Sequence, residues 1–181
     1  MIILSENIQR IEVEQCTNVD ELKRRINRFD NFSDIDIQMS LQGAFSYAEK
    51  FMGRKLQRHT VQVQVYIPRG EFSTFFMRFG QTQLEYITSK DGERLEIIKD
   101  YIPQGNKIQF SPSNNDRTLT IQYSCGYSVL RGPNKIPDDI VIAILMRGGA
   151  MFQVKTDVTS EAMKRAVICS DDLFKQYRLR V

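Results

Sequence analysis

The chain has 181 residues, of which 41% are hydrophobic and 26% are charged, and this composition is typical of a folded globular protein rather than a disordered one. Its net charge of +3 is too small to indicate a nucleic-acid-binding domain, because such domains usually concentrate many basic residues on one face. Neither a transmembrane helix nor a signal peptide is predicted, because the longest apolar run, Ile140–Met146, is far shorter than the roughly 20 residues that cross a bilayer.

The first elements of the chain are predicted to be an extended segment and two helices. Apolar and polar residues alternate in Ile8–Cys16, which is typical of a short strand or an extended arm. Asn18 can cap a helix that runs to Phe29, with Glu21 completing a capping box. A longer helix follows in "SDIDIQMSLQGAFSYAEKFM", where apolar residues recur every three or four positions, and Gly53 is expected to end it.

After this helix, apolar residues recur at every second position instead of every third or fourth. In "HTVQVQVYIP" the residues Val61, Val63 and Val65 share one face, as in a half-buried strand. The pair Asp91 and Gly92 is a strong hairpin turn signal between two further strand-like runs. About six short strands are predicted between residues 60 and 127, and they indicate an antiparallel sheet or a small barrel-like module.

A second long helix is predicted from Pro137 to about Val154. Pro137 and the acidic residues after it are typical of a helix N-terminus. Gly148 and Gly149 interrupt its apolar run, and they permit either a close backbone approach or a bend, or they mark a weak point. The helix is apolar around most of its circumference, so it must be enclosed on several sides by the other helices, the sheet or another subunit.

The C-terminal segment is predicted to contain a short helix at Ser160–Val167 and a second helical segment that Ser170 caps. Leu173, Phe174 and Tyr177 share one face of that second segment. The predicted fold class is therefore α+β, with a helical core of three main helices and a C-terminal helix or tail. Residues 1–58 and 128–181 are assigned to this core, and residues 59–127 to the inserted antiparallel β-sheet or small barrel-like module.

A search for catalytic chemistry finds no site. The only histidine, His59, has no nucleophile or metal-spaced partner in the sequence, and it is interpreted as a surface or turn residue. No Gly-rich phosphate loop is present. The three cysteines, Cys16, Cys125 and Cys169, are widely spaced and are interpreted as buried, reduced thiols.

Acidic pairs could suggest a metal site, but a structural role explains them better. Asp34 and Asp36 start one predicted helix, and Asp138 and Asp139 start another, where the helix dipole favours negative charge. No catalytic, cofactor-binding or metal-binding residue is therefore predicted, and the chain is not expected to be an enzyme.

The ending "FKQYRLRV" mixes basic and aromatic residues and leaves several interpretations open. Such a mixture can bind single-stranded nucleic acid, it can form a docking tail, or it can be the solvated end of an amphipathic helix. The alternative function is accordingly a nucleic-acid-binding module that uses the β surface and this basic tail.

Three stretches, taken in order, carry a resemblance to a known family. They are "AFSYAEKFMGRKL" at the end of the first long helix, "LTIQYSCGYS" in the last strand, and "IPDDIVIAILMRGGAMF" in the helix that follows. With the ending "LFKQYRLRV", they resemble the head–tail connector (head completion or adaptor) proteins of tailed phages. The resemblance extends over nearly the whole chain from about Asn18.

This resemblance implies a structural virion protein that forms a ring, usually twelvefold, beneath the portal protein. The ring would extend the DNA channel and provide the attachment surface for tail or neck proteins, and DNA would pass through it without specific binding. The resemblance implies a place at the head–tail interface of the virion, with the host cytoplasm as the site of assembly and no membrane contact.

A cyclic ring requires a heterologous interface, in which one patch of a subunit meets a different patch of the next. We expect this interface on the two long helices, at Ile37, Leu41, Phe45, Phe51, Ile140, Ile144 and Met151. We expect the C-terminal tail to dock on the portal or on a neighbouring subunit through Leu173, Phe174, Tyr177, Arg178 and Arg180.

Overall fold

A computed structural model describes most of the chain as two compact units. One unit consists of Met1–Val13 and Gln57–Tyr127, and the other consists of Glu14–Leu56 and Ser128–Val181. The described residues are 1–10, 19–26, 34–127, 135–155 and 161–179.

The first unit contains two antiparallel sheets. The larger sheet has the strand order β1-β2-β7-β4, and the smaller one has the order β3-β6-β5. The strands are β1 (Ile2–Arg10), β2 (His59–Ile67), β3 (Ser73–Phe76), β4 (Gln83–Ser89), β5 (Tyr101–Gln104), β6 (Lys107–Phe110) and β7 (Arg117–Cys125).

The core of this unit lies between the two sheets. Alternate residues of β2 and β7 point inward, and Val63 pairs with Ile121 at the centre of the larger sheet. Phe75 of the smaller sheet meets Tyr123 of the larger one, with ring centroids 6.2 Å apart. The alternation of apolar and polar residues in the sequence therefore arises from a sandwich in which each sheet buries one face.

The N-terminal residues differ from the prediction. Residues 1–58 were assigned to the helical core, but the first ten belong to the sandwich, where β1 pairs with β2 from Ile2 to Arg10. The predicted short strand or arm at Ile8–Cys16 begins within β1, and its remaining part lies outside the described residues. The periodicity of this strand is weak because β1 is an edge strand whose described side chains are all exposed, so neither of its faces has to be apolar.

The helical unit contains four helices within the described ranges. They are α1 (Val19–Ile26), α2 (Asp34–Met52), α3 (Asp138–Lys155) and α4 (Glu161–Gln176). Gly53 ends α2 as predicted, because it has a φ of +66°, a conformation that glycine adopts without strain. The predicted end of α1 at Phe29 lies outside the described residues.

Gly148 provides a close approach between helices rather than a bend. A Cβ atom at this position would lie 3.4 Å from Leu22 Cδ2 and 3.6 Å from Leu41 Cα. The backbone of α3 therefore packs directly against α1 and α2, and most of the apolar surface of α3 is covered within its own unit.

The C-terminal segment forms one helix instead of two. Ser170 was predicted to be a cap, but it lies in the interior of α4, is fully buried, and donates a hydrogen bond to the carbonyl of Val167 at 2.7 Å. This internal hydrogen bond satisfies the hydroxyl, so the residue is compatible with a continuous helix.

Candidate interaction surfaces

Most of the predicted subunit interface is buried within a single chain. Ile37, Leu41, Ile140 and Ile144 are at most 2% exposed in the core of the helical unit. Their side chains are not accessible to another subunit, so their assignment to a subunit interface is corrected. The reason is that α1, α2 and α4 together with the Gly148 contact cover more of α3 than the sequence suggested.

The remaining three predicted interface residues keep some accessible surface. Phe45 and Phe51 are half-buried, and Met151 is exposed. The ring of Phe51 stacks on Tyr47 with centroids 5.6 Å apart, so much of its surface is already used inside the unit. Phe45 and Met151 are therefore the better candidates for contact with another chain.

An exposed apolar stripe on α2 was missed by the sequence analysis. Ile35 and Met39 lie one helical turn apart, and each is more than half exposed. Gly43 continues the stripe by another turn, and a Cβ there would lie 3.3 Å from Met151 Cε. We call Ile35, Met39 and Met151 the helical stripe. Their spacing was visible in the sequence, but periodicity alone could not separate them from the buried face beside them.

The predicted docking tail is bound to its own unit. Phe174 is fully buried against Tyr47 and Phe51, with ring centroids 6.4 and 6.2 Å away. The backbone of Leu179 donates a hydrogen bond to the carbonyl of Met52 at 2.9 Å. Phe174 is therefore a core residue, which corrects its assignment to a docking surface.

The other predicted tail residues are placed around this core. Tyr177 donates from its hydroxyl to Asp139 Oδ2 at 3.3 Å, and its carbonyl accepts a hydrogen bond from Arg54 Nε. Leu173 is half-buried and Arg178 is exposed, with its guanidinium 5.7 Å from the Phe51 ring centroid. Arg180 lies outside the described residues.

A polar cluster joins α2, α3 and α4. Asp171 Oδ1 accepts hydrogen bonds from Arg147 Nη1 at 2.6 Å and from the Tyr47 hydroxyl at 3.0 Å. The guanidinium of Arg147 lies 3.4 Å from the centroid of the Tyr47 ring. Burial, followed by the hydrogen bond to Asp171, raises the pKa of Tyr47 above its usual value. Each group has a partner within the cluster, so the arrangement ties the three helices together.

The central outward positions of the larger sheet are polar and uncharged. These positions on β2 and β7 are Thr60, Gln62, Gln64, Thr118, Thr120 and Gln122. Gln122 links neighbouring side chains by accepting from the Tyr86 hydroxyl at 2.5 Å and donating to Glu85 Oε2 at 2.8 Å. A face that binds nucleic acid relies on Lys or Arg to neutralise phosphates, and these positions contain neither.

Titratable groups of the described residues include the buried His59 and the charged side chains that line a cleft. No group of three or more His, Cys, Asp or Glu residues is placed to hold a metal ion in the described part of the chain. His59 is buried at the start of β2, with Nδ1 hydrogen-bonded to the carbonyl of Gln57 at 2.7 Å, so it is neither the surface residue nor the turn residue that was predicted. A cleft of about 730 Å³ is lined mainly by charged side chains, including Arg94, Lys99 and Asp116.

Two cysteines fall within the described residues, and they differ. Cys125 is buried at the end of β7, as expected, whereas Cys169 is exposed on α4. Cys16 lies outside the described residues. Among the helices that the structure describes, none has both the length and the apolar character that a membrane span requires.

Comparison with solved structures shows what this fold is similar to. A chain in the neck of an empty gene transfer agent (GTA) particle, computed with C6 symmetry, matches with a TM-score of 0.63 over 97% of both chains at 12% identity. A chain in the neck of the native GTA particle, computed with C12 symmetry, matches with a TM-score of 0.59 over 97% of both chains at 12% identity. A chain in the virion of the native GTA particle matches with a TM-score of 0.54 over 96% of both chains, also at 12% identity.

The fold is shared with neck chains of the GTA particle. No family model matches the sequence, and no curated protein matches it. The sequence stretches suggested a resemblance to head–tail connector proteins of tailed phages, and the fold shared with neck chains of a phage-like particle confirms it at the level of the fold. The predicted α+β class is confirmed by the four helices and two antiparallel sheets of the described residues.

Proposed function

We propose that the chain is a structural protein of the neck of a tailed phage or phage-like particle, where it acts as the head–tail adaptor. It forms a ring beneath the portal, extends the DNA channel and presents a surface to which tail or neck proteins attach. The observation that carries this proposal is the likeness of fold to chains in the neck of the GTA particle over 97% of both chains. Because the similarity extends over nearly the whole chain, it cannot be explained by a shared fragment or a common small motif.

The exposed apolar surface supports a role in an assembly. The helical stripe leaves Ile35 and Met39 more than half accessible to solvent in the single chain. Contiguous apolar surface of this kind marks contact sites in soluble proteins, since exposing it is unfavourable. We assign the helical stripe, with Met151 and the half-buried Phe45, to a contact with another subunit of the neck.

The alternative, a nucleic-acid-binding module, has less support. It required the β surface and the basic C-terminal tail to act together. The central outward positions of the larger sheet have no Lys or Arg, and Phe174 and Tyr177 of the tail are held by contacts with their own unit. A neutral polar face is instead suited to a conduit, because a strongly basic bore would hold phosphates and slow the passage of DNA.

Mass photometry and negative-stain microscopy of the purified protein, alone and with the portal protein of the same genome, test the proposal. We expect a closed ring, formed either with rising concentration or on the portal, with twelvefold symmetry by resemblance to the adaptor family. The double variant Ile35→Ser/Met39→Ser should impair this assembly, and Ile168→Ser, at an exposed isoleucine on α4, serves as its control.

A protein that stays monomeric with the portal present would contradict the proposal. So would salt-dependent DNA binding by the monomer, which would favour the nucleic-acid-binding module. Binding isotherms between about 50 and 200 mM salt provide this second measurement, because counterion release makes the affinity of a phosphate-binding face fall steeply across that range.

A further inference from the structure

The larger sheet of the sandwich overhangs the smaller one along β1. Ile3 and Ile8 pair with Val65 and Val61, and therefore lie on the face of the sheet that covers the core. The valines are fully buried, whereas Ile3 and Ile8 remain 42% and 40% exposed. The smaller sheet has three strands against the four of the larger one, and these two side chains of the edge strand β1 are left partly uncovered. We call Ile3, Glu6 and Ile8 the β1 ledge.

The opposite edge of the same sandwich carries two exposed isoleucines. The chain after β4 runs back along its outer side, where Ser89 N donates to Glu93 O at 2.8 Å and Leu95 N donates to Ile87 O at 3.0 Å. It then presents Ile97 and Ile98, which are 59% and 81% exposed, before entering β5. We call these two residues the isoleucine knob. The three strand spacings between β1 and β4 separate the ledge from this edge by about 14 Å.

The isoleucine knob is held in an unfavourable backbone conformation. Ile98 has a φ of +76°, which is rare for any residue with a side chain and a true outlier for a β-branched one. The loop is fixed by hydrogen bonds from Ile98 N to Tyr101 O at 2.8 Å and from Glu96 N to Asp100 Oδ2 at 2.9 Å. A strained, exposed apolar residue on a well-bonded loop indicates a position kept for contact.

We propose that the isoleucine knob of one copy of this chain seats on the β1 ledge of the next copy, so that the sandwiches join head to tail. The inference rests on the proposed function, because a closed ring needs two different, mutually fitting patches on each subunit. The occupant of the ledge is a second copy because the sandwich itself carries both patches, one at each edge of the larger sheet.

The charges around the two patches permit this contact. Glu6 within the ledge is paired with Arg78, with Oε2 and Nη1 3.8 Å apart. Beside the knob, Lys99 Nζ is 3.5 Å from Glu96 Oε2. The charged side chains of each patch are thus already paired within that patch. The two patches therefore do not repel each other electrostatically.

Cysteine cross-linking between two single variants tests the head-to-tail geometry. In a background where Cys16 and Cys169 are replaced by serine, one chain carries Ile8→Cys and the other carries Ile98→Cys. We expect oxidation of the mixture under ring-forming conditions to give covalent dimers, and oxidation of either variant alone to give none. A mixture of Ile168→Cys and Ile98→Cys is the matched control and should not cross-link.

A second measurement separates assembly from folding. Ile98→Asn and Ile98→Gly both suit a positive φ, so each should raise the melting temperature of the monomer, by about 2–4 °C for the glycine variant. Both remove the apolar contact, and the concentration at which half of the protein is assembled should rise at least about tenfold. Ile168→Asn should leave assembly unchanged.

The outcomes distinguish this inference from the function on which it rests. Rings that form without the mixed cross-link, or that tolerate Ile98→Asn, overturn the knob-and-ledge contact and leave the neck function standing. Cross-links in the Ile98→Cys protein alone would show a two-fold contact and would also overturn it. A protein that never assembles, even with the portal, overturns both.

Discussion

Asp171 connects three helices through two hydrogen bonds, and this makes it the most consequential charged residue of the helical unit. Its carboxylate accepts from Arg147 on α3 and from Tyr47 on α2, and the Arg147 and Asp171 side chains are 14% and 26% exposed. Pairing in such a partly desolvated site is worth more than pairing on the open surface.

We predict that Asp171→Asn lowers the free energy of unfolding by about 1.5–3 kcal/mol, because hydrogen bonds to charged groups contribute about that much. Urea titration followed by circular dichroism measures the change. Asp172→Asn is the matched control, since Asp172 pairs only with the exposed Lys175 among the contacts described. A loss for Asp172→Asn as large as that for Asp171→Asn would show that the polar cluster has no special role.

Tyr123 makes the sandwich sensitive to alkaline pH. Burial raises the pKa of its hydroxyl to about 12 from the usual 10. A raised pKa in the folded state means that its contribution to stability is complete below pH 10 and is lost as the pH rises towards 12. We predict that the free energy of unfolding falls by about 2 kcal/mol over this interval because of this residue.

Urea titrations at pH 9, 10 and 11 measure this dependence. Tyr123→Phe should have a shallower decline with pH, although it loses the hydrogen bond that Arg78 N donates to the hydroxyl at 3.3 Å. An unchanged slope in Tyr123→Phe would assign the alkaline sensitivity to other groups.

At the scale of elements, the helices and strands that bury only one face were the ones that could be predicted from the sequence. The strands β2 and β7 and the helix α2 each bury one face, so their periodicity was clear and their positions were predicted. The strand β1 buries neither face, and the buried Ser170 looked like a cap, so β1 and the continuous α4 were not predicted. The sequence could name apolar faces but not which of them the same chain would cover.

The contact at Gly148 leads to a prediction about the packing of α3. A methyl group there meets Leu22 and Leu41 at ordinary contact distances, so Gly148→Ala should fit. It should stabilise the unit by up to about 1 kcal/mol through helix propensity. A larger side chain has no room, and Gly148→Leu should cost about 1–3 kcal/mol. Thermal unfolding of both variants measures whether stability rises in Gly148→Ala and falls in Gly148→Leu. A loss of stability in Gly148→Ala would mean that the helices are closer than described.

At the scale of the whole molecule, the surfaces that indicate a function are the apolar ones that remain exposed to solvent. The helical stripe and the two edges of the sandwich expose isoleucine and methionine, while the central outward positions of the larger sheet carry amides and hydroxyls. Sequence reasoning reached the family resemblance without these surfaces. It assigned buried residues such as Ile37 and Ile140 to a subunit contact, because the sequence does not distinguish a buried isoleucine from an exposed one.

The division of the helical unit into Glu14–Leu56 and Ser128–Val181 also sets an order of events during synthesis. All segments of the sandwich have left the ribosome once Tyr127 has emerged, so this unit can fold first. The helical unit has to wait, because Phe174 and the Leu179 amide that binds Met52 are translated after the sandwich. A chain that stops before Phe174 therefore lacks the packing that closes α2.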